Sequence, residues 1–112
     1  MEADLSSSMV IAGVLSRIKS EELRGPTRVT QAALRALSEA SRNSSCSSPK
    51  EFLEEQSAFG DLLIRTRPTA ILLANGVRLV MDAINKGVSE GLTVSALKEI
   101  VSKTVDSFLA EM

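Results

Sequence analysis

Hydrophobic residues along this chain recur at three- and four-residue steps in five stretches, which are separated by segments containing Gly, Pro or Ser. That spacing places the apolar side chains on one face of an α-helix. No stretch alternates apolar and polar residues for long enough to predict a strand. The pattern therefore predicts an all-α fold: a single bundle of about five amphipathic helices, in one helical domain that covers residues 1–112.

Local residue types predict where several of these helices begin and end. Asp4 is a suitable N-cap for the first helix, and Pro26 is suited to the first position of the second. The sequence Ser48-Pro49-Lys50-Glu51 has the pattern of a capping box and opens the third helix. Gly87 is predicted to terminate the fourth helix from the C′ position.

Each predicted helix has one apolar stripe that should be buried. For the first helix, expected over residues 5–18, the stripe consists of Leu5, Met9, Val10, Val14, Leu15 and Ile18. For the third helix it consists of Phe52, Leu53, Phe59, Leu62 and Leu63. On the second helix Arg28, Arg35 and Arg42 repeat every seven residues, and we interpret this row as a solvated flank rather than a nucleic-acid surface.

The fifth helix is predicted to begin near Thr93, and its apolar face continues to Met112. A helix that is still amphipathic at the last residue, without a glycine C-cap or a polar tail, is expected when a helix is cut rather than ended. We therefore expect the chain to be part of a longer protein.

Composition narrows the possible functions. The net charge is −1 and the sequence contains three Phe but no Trp or Tyr, so a nucleic-acid partner and a membrane-binding role are not expected. No signal peptide or membrane anchor is recognisable. With no His and one cysteine, Cys46, neither a metal site nor a disulfide is expected, and a cytoplasmic location is predicted. No cofactor, catalytic nucleophile or acid/base pair can be named, and Cys46 is interpreted as an unreactive loop residue.

Two helix breaks carry the candidate binding chemistry. The first is Arg24-Gly25-Pro26-Thr27, and the second is Arg65-Thr66-Arg67-Pro68-Thr69-Ala70, after which the fourth helix begins. Glycine permits close approach, and the unpaired amides at a helix start attract anions. A guanidinium group suits phosphate oxygens, and Pro68 should place Arg67 on an extended corner between two helices. Together the breaks are consistent with an anion site, although both also match ordinary helix boundaries.

These residues also resemble a known family. Leu23-Arg24-Gly25 before a helix, followed by Thr66-Arg67-Pro68-Thr69-Ala70, Asn75 and Arg78, resembles the N-terminal helical domain of the sugar-phosphate isomerases related to initiation factor 2B. That family includes ribose-1,5-bisphosphate isomerase, methylthioribose-1-phosphate isomerase and the regulatory subunits of initiation factor 2B. The motif-based resemblance extends to Val80, and beyond that residue it rests on the helical pattern.

The resemblance implies that Arg24, Gly25 and Arg67 contact a phosphate group of the substrate, with Pro26 and Thr27 completing the first turn. It also implies a Rossmann-like C-terminal domain that supplies the catalytic cysteine and aspartate, and this domain is absent from the chain. Pro26 and Thr27 depart from the Arg-Gly-Ala-Gly sequence of the ribose-bisphosphate branch. The expected ligand is a sugar phosphate resembling ribose bisphosphate, and the expected protein partners are further copies or related subunits.

Two other functions remain open at the level of sequence. The chain could belong to a regulatory subunit of initiation factor 2B, acting by protein–protein interaction in a guanine-nucleotide exchange complex. It could also be a free-standing helical adaptor. If the chain instead belongs to the sugar-phosphate isomerases, it is a substrate-phosphate-binding and assembly domain of an aldose–ketose isomerase, and it should be inactive alone.

Overall fold

The computed structural model describes residues 5–20, 22 and 24–112, with side chains described from Ser7 onward. Five α-helices make up this part of the chain, and no strand occurs in it, as the sequence pattern predicted. The helices are α1 (Leu5–Lys19), α2 (Pro26–Arg42), α3 (Pro49–Thr66), α4 (Ile71–Ser89) and α5 (Val94–Ala110). Asp4, the predicted cap of the first helix, lies outside the described residues.

The helices form a flat bundle in which α2 packs against all four other helices. The extents along the principal axes are 38, 34 and 19 Å. Because one helix with its side chains is about 10 Å thick, the shortest extent corresponds to two layers of helices. The central position of α2 follows from its small buried residues, including Ala33, Ala36 and Ala40, which permit close helix contacts.

The core is built from aliphatic side chains and two phenylalanines. The largest fully buried side chains include Phe52, Leu34, Leu37, Leu63 and Ile84. Burial of each such side chain contributes about 1.5–3 kcal/mol to folding before the opposing entropy is counted. Tight helix contacts depend on glycine: a Cβ added to Gly76 would lie 2.6 Å from Leu34 Cδ1.

The buried stripe of α1 differs from the predicted one. Ile11, Val14 and Ile18 are buried, but Met9 is 67% exposed. The stripe also contains the polar Ser7, which is completely buried. Its burial is tolerated because its hydroxyl donates a 2.7 Å hydrogen bond to the carbonyl oxygen of Ala40. The residues at 7, 11, 14 and 18 follow the helical repeat, whereas residue 9 lies on the opposite side of the helix.

Leu62 was also wrongly assigned to the buried stripe of α3. It is 45% exposed, whereas Phe52, Phe59 and Leu63 are buried as predicted. Gln56 occupies the remaining buried position on this face. Hydrophobic character alone assigned Leu62 to the core, although the direction of its side chain is set by where α3 meets its neighbours.

The prediction that Gly87 terminates the fourth helix was wrong. Gly87 lies inside α4 and is buried, and a Cβ at this position would lie 2.5 Å from Leu97 Cδ2. Gly91 has φ +77° and takes the C′ position instead. The amide of Gly91 donates to the Val88 oxygen and that of Leu92 donates to the Gly87 oxygen, which is the hydrogen-bond pattern of a Schellman motif.

The predicted start of α3 is confirmed. Ser48 is the N-cap, Pro49 is the first helical residue, and the Ser48 hydroxyl accepts a 3.1 Å hydrogen bond from the amide of Glu51. Thr93 caps α5 in the same way by accepting from the amide of Ala96 at 3.2 Å. These caps satisfy one otherwise unpaired amide at each helix start.

Candidate anion-binding site

The first predicted break forms the start of α2. Gly25 is the N-cap residue with φ 86° and ψ 143°, and Pro26 is the first residue of the helix. These dihedral angles lie in a region that residues with a side chain rarely occupy. The carbonyl oxygen of Gly25 accepts the first helical hydrogen bond from Val29, so the chain enters α2 in a defined direction.

The second predicted break is an extended corner between α3 and α4, as expected from Pro68. Arg67 is the C-cap of α3 with φ −139° and ψ 76°. Its amide donates to the Ile64 oxygen at 3.2 Å, and its carbonyl oxygen accepts from the amide of Ala70 at 3.0 Å. The corner is therefore fixed by backbone hydrogen bonds on both sides of Arg67.

The structure brings these two breaks to one small surface pocket of about 200 Å³. Residues from both breaks line it: Gly25, Pro26, Val29, Arg67, Thr69 and Ala70. The contact between α2 and α4 produces this arrangement, because the pocket residues lie at or next to the N-terminal ends of these two helices. The pairing of the breaks, which the sequence suggested only as a hypothesis, is thus present in the fold.

The helix ends at this pocket lack side-chain caps. Neither Gly25 at the start of α2 nor Ala70 at the start of α4 provides a side-chain hydrogen bond to the helix amides. The starts of α3 and α5, by contrast, are capped by Ser48 and Thr93. Both uncapped starts carry the positive end of a helix dipole, so the electrostatic potential near the pocket favours an anion.

Arg67 adds a full positive charge to the pocket. Its side chain is half-buried, and it forms no ion pair within 4.0 Å with any residue that the structure describes. The pocket lining contains no carboxylate. A guanidinium group without a carboxylate partner can bind phosphate oxygens in a bidentate manner.

The five predicted site residues occupy different positions. Gly25, Pro26 and Arg67 line the pocket, while Arg24 and Thr27 are exposed and do not line it. Thr69 also lines the pocket but was not among the predicted site residues, although its hydroxyl is a hydrogen-bond donor and it belongs to the same motif as Arg67. The position of Thr69 directly after Pro68 is the signal that could have identified it.

Two arginines near the second break bond to neighbours on their own helices. Arg65 forms an ion pair with Asp61 at 3.0 Å along the exposed face of α3. Arg78 donates a 3.2 Å hydrogen bond to the side-chain oxygen of Asn75 on α4. Neither Arg65 nor Arg78 lines the pocket, whereas Arg67 does.

Cys46 lies in the loop between α2 and α3 and is partly buried. Burial is the main cause that raises the pKa of its thiol, and Glu55 and Glu51 add to the effect. The Ser44 hydroxyl acts in the opposite direction by hydrogen bonding. A raised pKa lowers the fraction of reactive thiolate at neutral pH, which agrees with the interpretation of Cys46 as an unreactive loop residue.

The described residues contain neither a metal-binding cluster nor a helix that could span a membrane. Within residues 5–20, 22 and 24–112, no cluster of three or more metal-ligating side chains occurs. None of the helices in these ranges is both long and apolar enough to cross a bilayer.

The fold and the pocket define the chain as an all-helical domain with a potential anion site at two adjoining helix starts. The model of the initiation factor 2 subunit family matches residues 22–112, which include both breaks and four of the five helices. The chain therefore belongs to the initiation factor 2 subunit family.

Characterised relatives are longer proteins. Ribose 1,5-bisphosphate isomerase of Methanocaldococcus jannaschii is 29% identical over 101 residues, which are 90% of this chain and 33% of the relative. The enzyme of the same name from Thermococcus kodakarensis is 28% identical over 96 residues, covering 86% of this chain and 30% of the relative. Methylthioribose-1-phosphate isomerase of Sordaria macrospora is 34% identical over 88 residues, which cover 77% of this chain and 23% of the relative. The chain thus spans a third or less of the length of these relatives.

Proposed function

We propose that this chain is the N-terminal substrate-phosphate-binding and assembly domain of an aldose–ketose isomerase of the ribose-1,5-bisphosphate isomerase type. The observation that carries the proposal is the pocket in which Gly25 and Pro26 from one break meet Arg67 from the other. Relatives named as sugar-phosphate isomerases support a phosphorylated sugar as the ligand.

Three kinds of group would bind the phosphate. Arg67 supplies a charged bidentate donor, Thr69 supplies a hydroxyl, and the uncapped start of α2 at Gly25 and Pro26 supplies the positive end of a helix dipole. Pro26 has no amide hydrogen, so it shapes the turn without donating. An anion at a helix start gains about 0.3–1 kcal/mol from the dipole at a surface site, and the guanidinium contact adds to this.

Exposed Arg24 has a different role in this proposal. It lies outside the pocket lining but immediately before Gly25, so it strengthens the positive potential without a required contact. The phosphate contact that the family resemblance predicts for Arg24 is therefore not supported by the pocket lining, whereas the contact predicted for Arg67 is.

Catalysis belongs to another domain in this proposal. Moving a carbonyl group between neighbouring sugar carbons requires a proton or hydride shift, and proton transfer uses a positioned acid or base. The chain contains no histidine, and no carboxylate lines the pocket. A C-terminal Rossmann-like domain would supply these groups, so the 112-residue chain should bind a sugar phosphate weakly and convert none of it.

The test is a titration followed by amide chemical shifts in NMR. Inorganic phosphate and ribose 1,5-bisphosphate should each shift the amides of Gly25, Thr27 and Thr69, with a Kd on the order of 1 mM. Arg67→Ala should weaken binding about tenfold, since it removes a charge-assisted pair. Arg35→Ala is the matched control, because Arg35 is an exposed arginine outside this pocket.

Shifts that are unaffected by Arg67→Ala, or spread equally around Arg35, would contradict the proposal. Chloride at the same ionic strength distinguishes specific phosphate binding from screening. Conversion of ribose 1,5-bisphosphate by the 112-residue chain would contradict the assignment of catalysis to another domain.

The family description also favours a second candidate, a regulatory subunit module of initiation factor 2B that acts through protein contacts. The two candidates predict different residues in the domain that would follow this one. A cysteine and an aspartate in a following Rossmann-like domain would support the isomerase, and their replacement would support the regulatory subunit. If the chain bound no phosphate but associated stably with related subunits, this result would also favour the regulatory role.

A further inference from the structure

A shallow groove of about 680 Å³ runs between α1 and α2. The two helices are antiparallel, because Ser7 near the start of α1 bonds to Ala40 near the end of α2, while residues 20–25 join their other ends. No residue lines both this groove and the anion pocket. The two features can therefore be tested separately.

The floor of the groove is apolar. Small or aliphatic side chains that are buried or half-buried form it, namely Val10, Val14, Ala32 and Ala36. Met9 lies at one end of the groove and is 67% exposed. A methionine side chain is flexible and polarisable, so it adapts to the shape of a partner. Water in contact with these groups makes the groove a favourable place for apolar contacts.

Gly13 leaves room for a partner to approach α1 closely. It lines the groove and is exposed, and a Cβ at this position would meet no atom within 4 Å. The space above Gly13 is therefore not filled by the bundle's own packing. Without a side chain, this position allows another backbone to lie close to α1.

The charged residues of the groove are mainly basic. Arg17, Arg28 and Arg35 line it together with one carboxylate, Glu39. Arg28 and Arg35 are exposed, and neither forms an ion pair within 4.0 Å with any residue that the structure describes. Arg17 lies 3.9 Å from Glu22, but both groups are exposed, and such a pair contributes little. The groove therefore attracts acidic groups.

The spacing of these charges matches a helix. Arg28 and Arg35 are seven residues apart, so they lie on the same side of α2 and about 10 Å from each other along its axis. Two acidic residues seven apart on a partner helix have the same separation. Glu39 follows Arg35 by four residues and would repel a third acidic residue at the corresponding position but attract a basic one.

The same features disfavour a nucleic acid as the occupant. None of the residues that line the groove is aromatic, so they offer no platform on which bases could stack. Glu39 would also repel a phosphate backbone that followed the groove along α2. An occupant with separate acidic and apolar side chains fits the groove better than one with uniform negative charge.

We propose that the groove between α1 and α2 binds an acidic amphipathic helix of a partner protein. Two carboxylates of this helix pair with Arg28 and Arg35, and its apolar residues cover the floor beside Gly13. An amphipathic helix in an apolar groove is a common mode of peptide recognition, in which apolar contacts provide affinity. The charged pairs at the rim fix the register and direction of the bound helix.

The test is fluorescence anisotropy of a labelled helical peptide of about 18 residues, titrated with the 112-residue chain. The peptide carries two glutamates seven residues apart, leucines between them on the same face, and a lysine four residues after the second glutamate. It should bind with a Kd on the order of 100 μM. A comparison peptide with lysine in place of both glutamates should bind at least about tenfold more weakly.

Variants of the chain test the charged pairs. Arg28→Glu and Arg35→Glu should each weaken binding of the acidic peptide about tenfold, because each change places like charges opposite each other. A peptide whose second glutamate is replaced by lysine should bind Arg35→Glu to within about threefold of the original Kd. Arg78→Glu is the matched control, since it makes the same change at an exposed position of α4 outside the groove and should leave the Kd unchanged.

Gly13→Gln tests whether the peptide lies in the groove. The new side chain has room in the folded chain and favours a helix, but it would occupy the space that the partner needs. Binding should therefore weaken about tenfold without any change of charge. Arg67→Ala should leave peptide binding unchanged, so failure of the anion pocket and failure of this groove are distinguishable. Circular dichroism of each variant separates loss of binding from loss of folding.

No binding of the acidic peptide at chain concentrations up to about 1 mM would overturn the proposal. Equal binding of the acidic and lysine peptides would also overturn it, and so would insensitivity to both arginine reversals. An effect of the reversals without an effect of Gly13→Gln would show charge attraction outside the groove. A DNA oligonucleotide of about ten nucleotides that binds through the same arginines, when the peptide does not, would show a nucleic-acid surface instead.

Discussion

Gly25 illustrates how one residue can serve both the fold and the candidate site. Its φ of +86° is disfavoured for side chains, yet a Cβ at this position would meet nothing within 4 Å. The energetic cost of a substitution would therefore come from backbone strain and not from a steric clash. At Gly13, which is also surrounded by open space, the backbone is helical and no such strain applies.

This difference yields a paired prediction. Gly25→Ala should lower the free energy of unfolding by about 1–2 kcal/mol because alanine is disfavoured at positive φ. Gly13→Ala should raise it by about 0.5–1 kcal/mol because alanine favours helices. Urea denaturation measures both changes, and equal effects at the two positions would contradict the backbone explanation. If the turn at Gly25 shapes the pocket, phosphate binding should also weaken in the first variant alone.

Cys46 provides a prediction about pH. Since burial raises the pKa of its thiol, the thiolate forms at higher pH in the folded chain than in the unfolded chain, for which the usual value is about 8.5. Alkylation by iodoacetamide should therefore be slower in the folded chain, and its rate should reach half-maximum at higher pH than in urea.

The same shift affects stability. The folded state binds the thiol proton more tightly, so the stability from this group is fully present below the unfolded pKa and is lost as the pH rises through the folded pKa. Glu55→Gln removes one carboxylate that raises the pKa, and it should bring the half-maximum closer to the usual value. A folded half-maximum at or below the unfolded one would contradict this account.

At the scale of the elements, the end of α2 is held by a residue from α5. Lys98 Nζ donates to the Ser44 oxygen at 2.7 Å and to the Arg42 oxygen at 3.3 Å. These carbonyl groups lie at or just beyond the C-terminus of α2, where the helix dipole is negative. A single lysine thus joins the central helix to the last helix of the bundle.

Lys98→Met should consequently lower the free energy of unfolding by about 1–2 kcal/mol, since methionine keeps the apolar stem but cannot donate. Lys50→Met, at an exposed position on α3, should change it by less than about 0.5 kcal/mol. Thermal and urea unfolding measure both variants, and equal effects would show that the Lys98 contacts contribute no stability.

The elements also show what the sequence could predict. Pro26, Ser48 and Pro49 act on their own backbone neighbourhood, so the starts of α2 and α3 were predicted correctly. Gly87 and Gly91 lie close together, and local sequence does not distinguish a glycine needed for packing from one needed for positive φ. The close approach of Leu97 shows that Gly87 is the glycine needed for packing, and this approach depends on how α4 meets α5.

The same limit applies to the candidate site. The sequence predicted a corner at Arg67 and a turn at Gly25, because proline and glycine determine these conformations locally. That both line one pocket depends on the packing of α2 against α4, which the sequence could suggest only as a hypothesis. Thr69 enters the lining for the same reason.

At the scale of the whole molecule, the shortest extent of 19 Å has a consequence for any ligand. A plate two helices thick exposes one side of each layer to solvent, so it has no deep interior in which to surround a sugar phosphate. A charge bound at its edge stays in contact with water on one side, where the high dielectric constant weakens electrostatic stabilisation. Proton or hydride transfer that needs a dry environment would therefore require a second wall, contributed by another domain or another subunit facing the helix starts at Gly25 and Ala70.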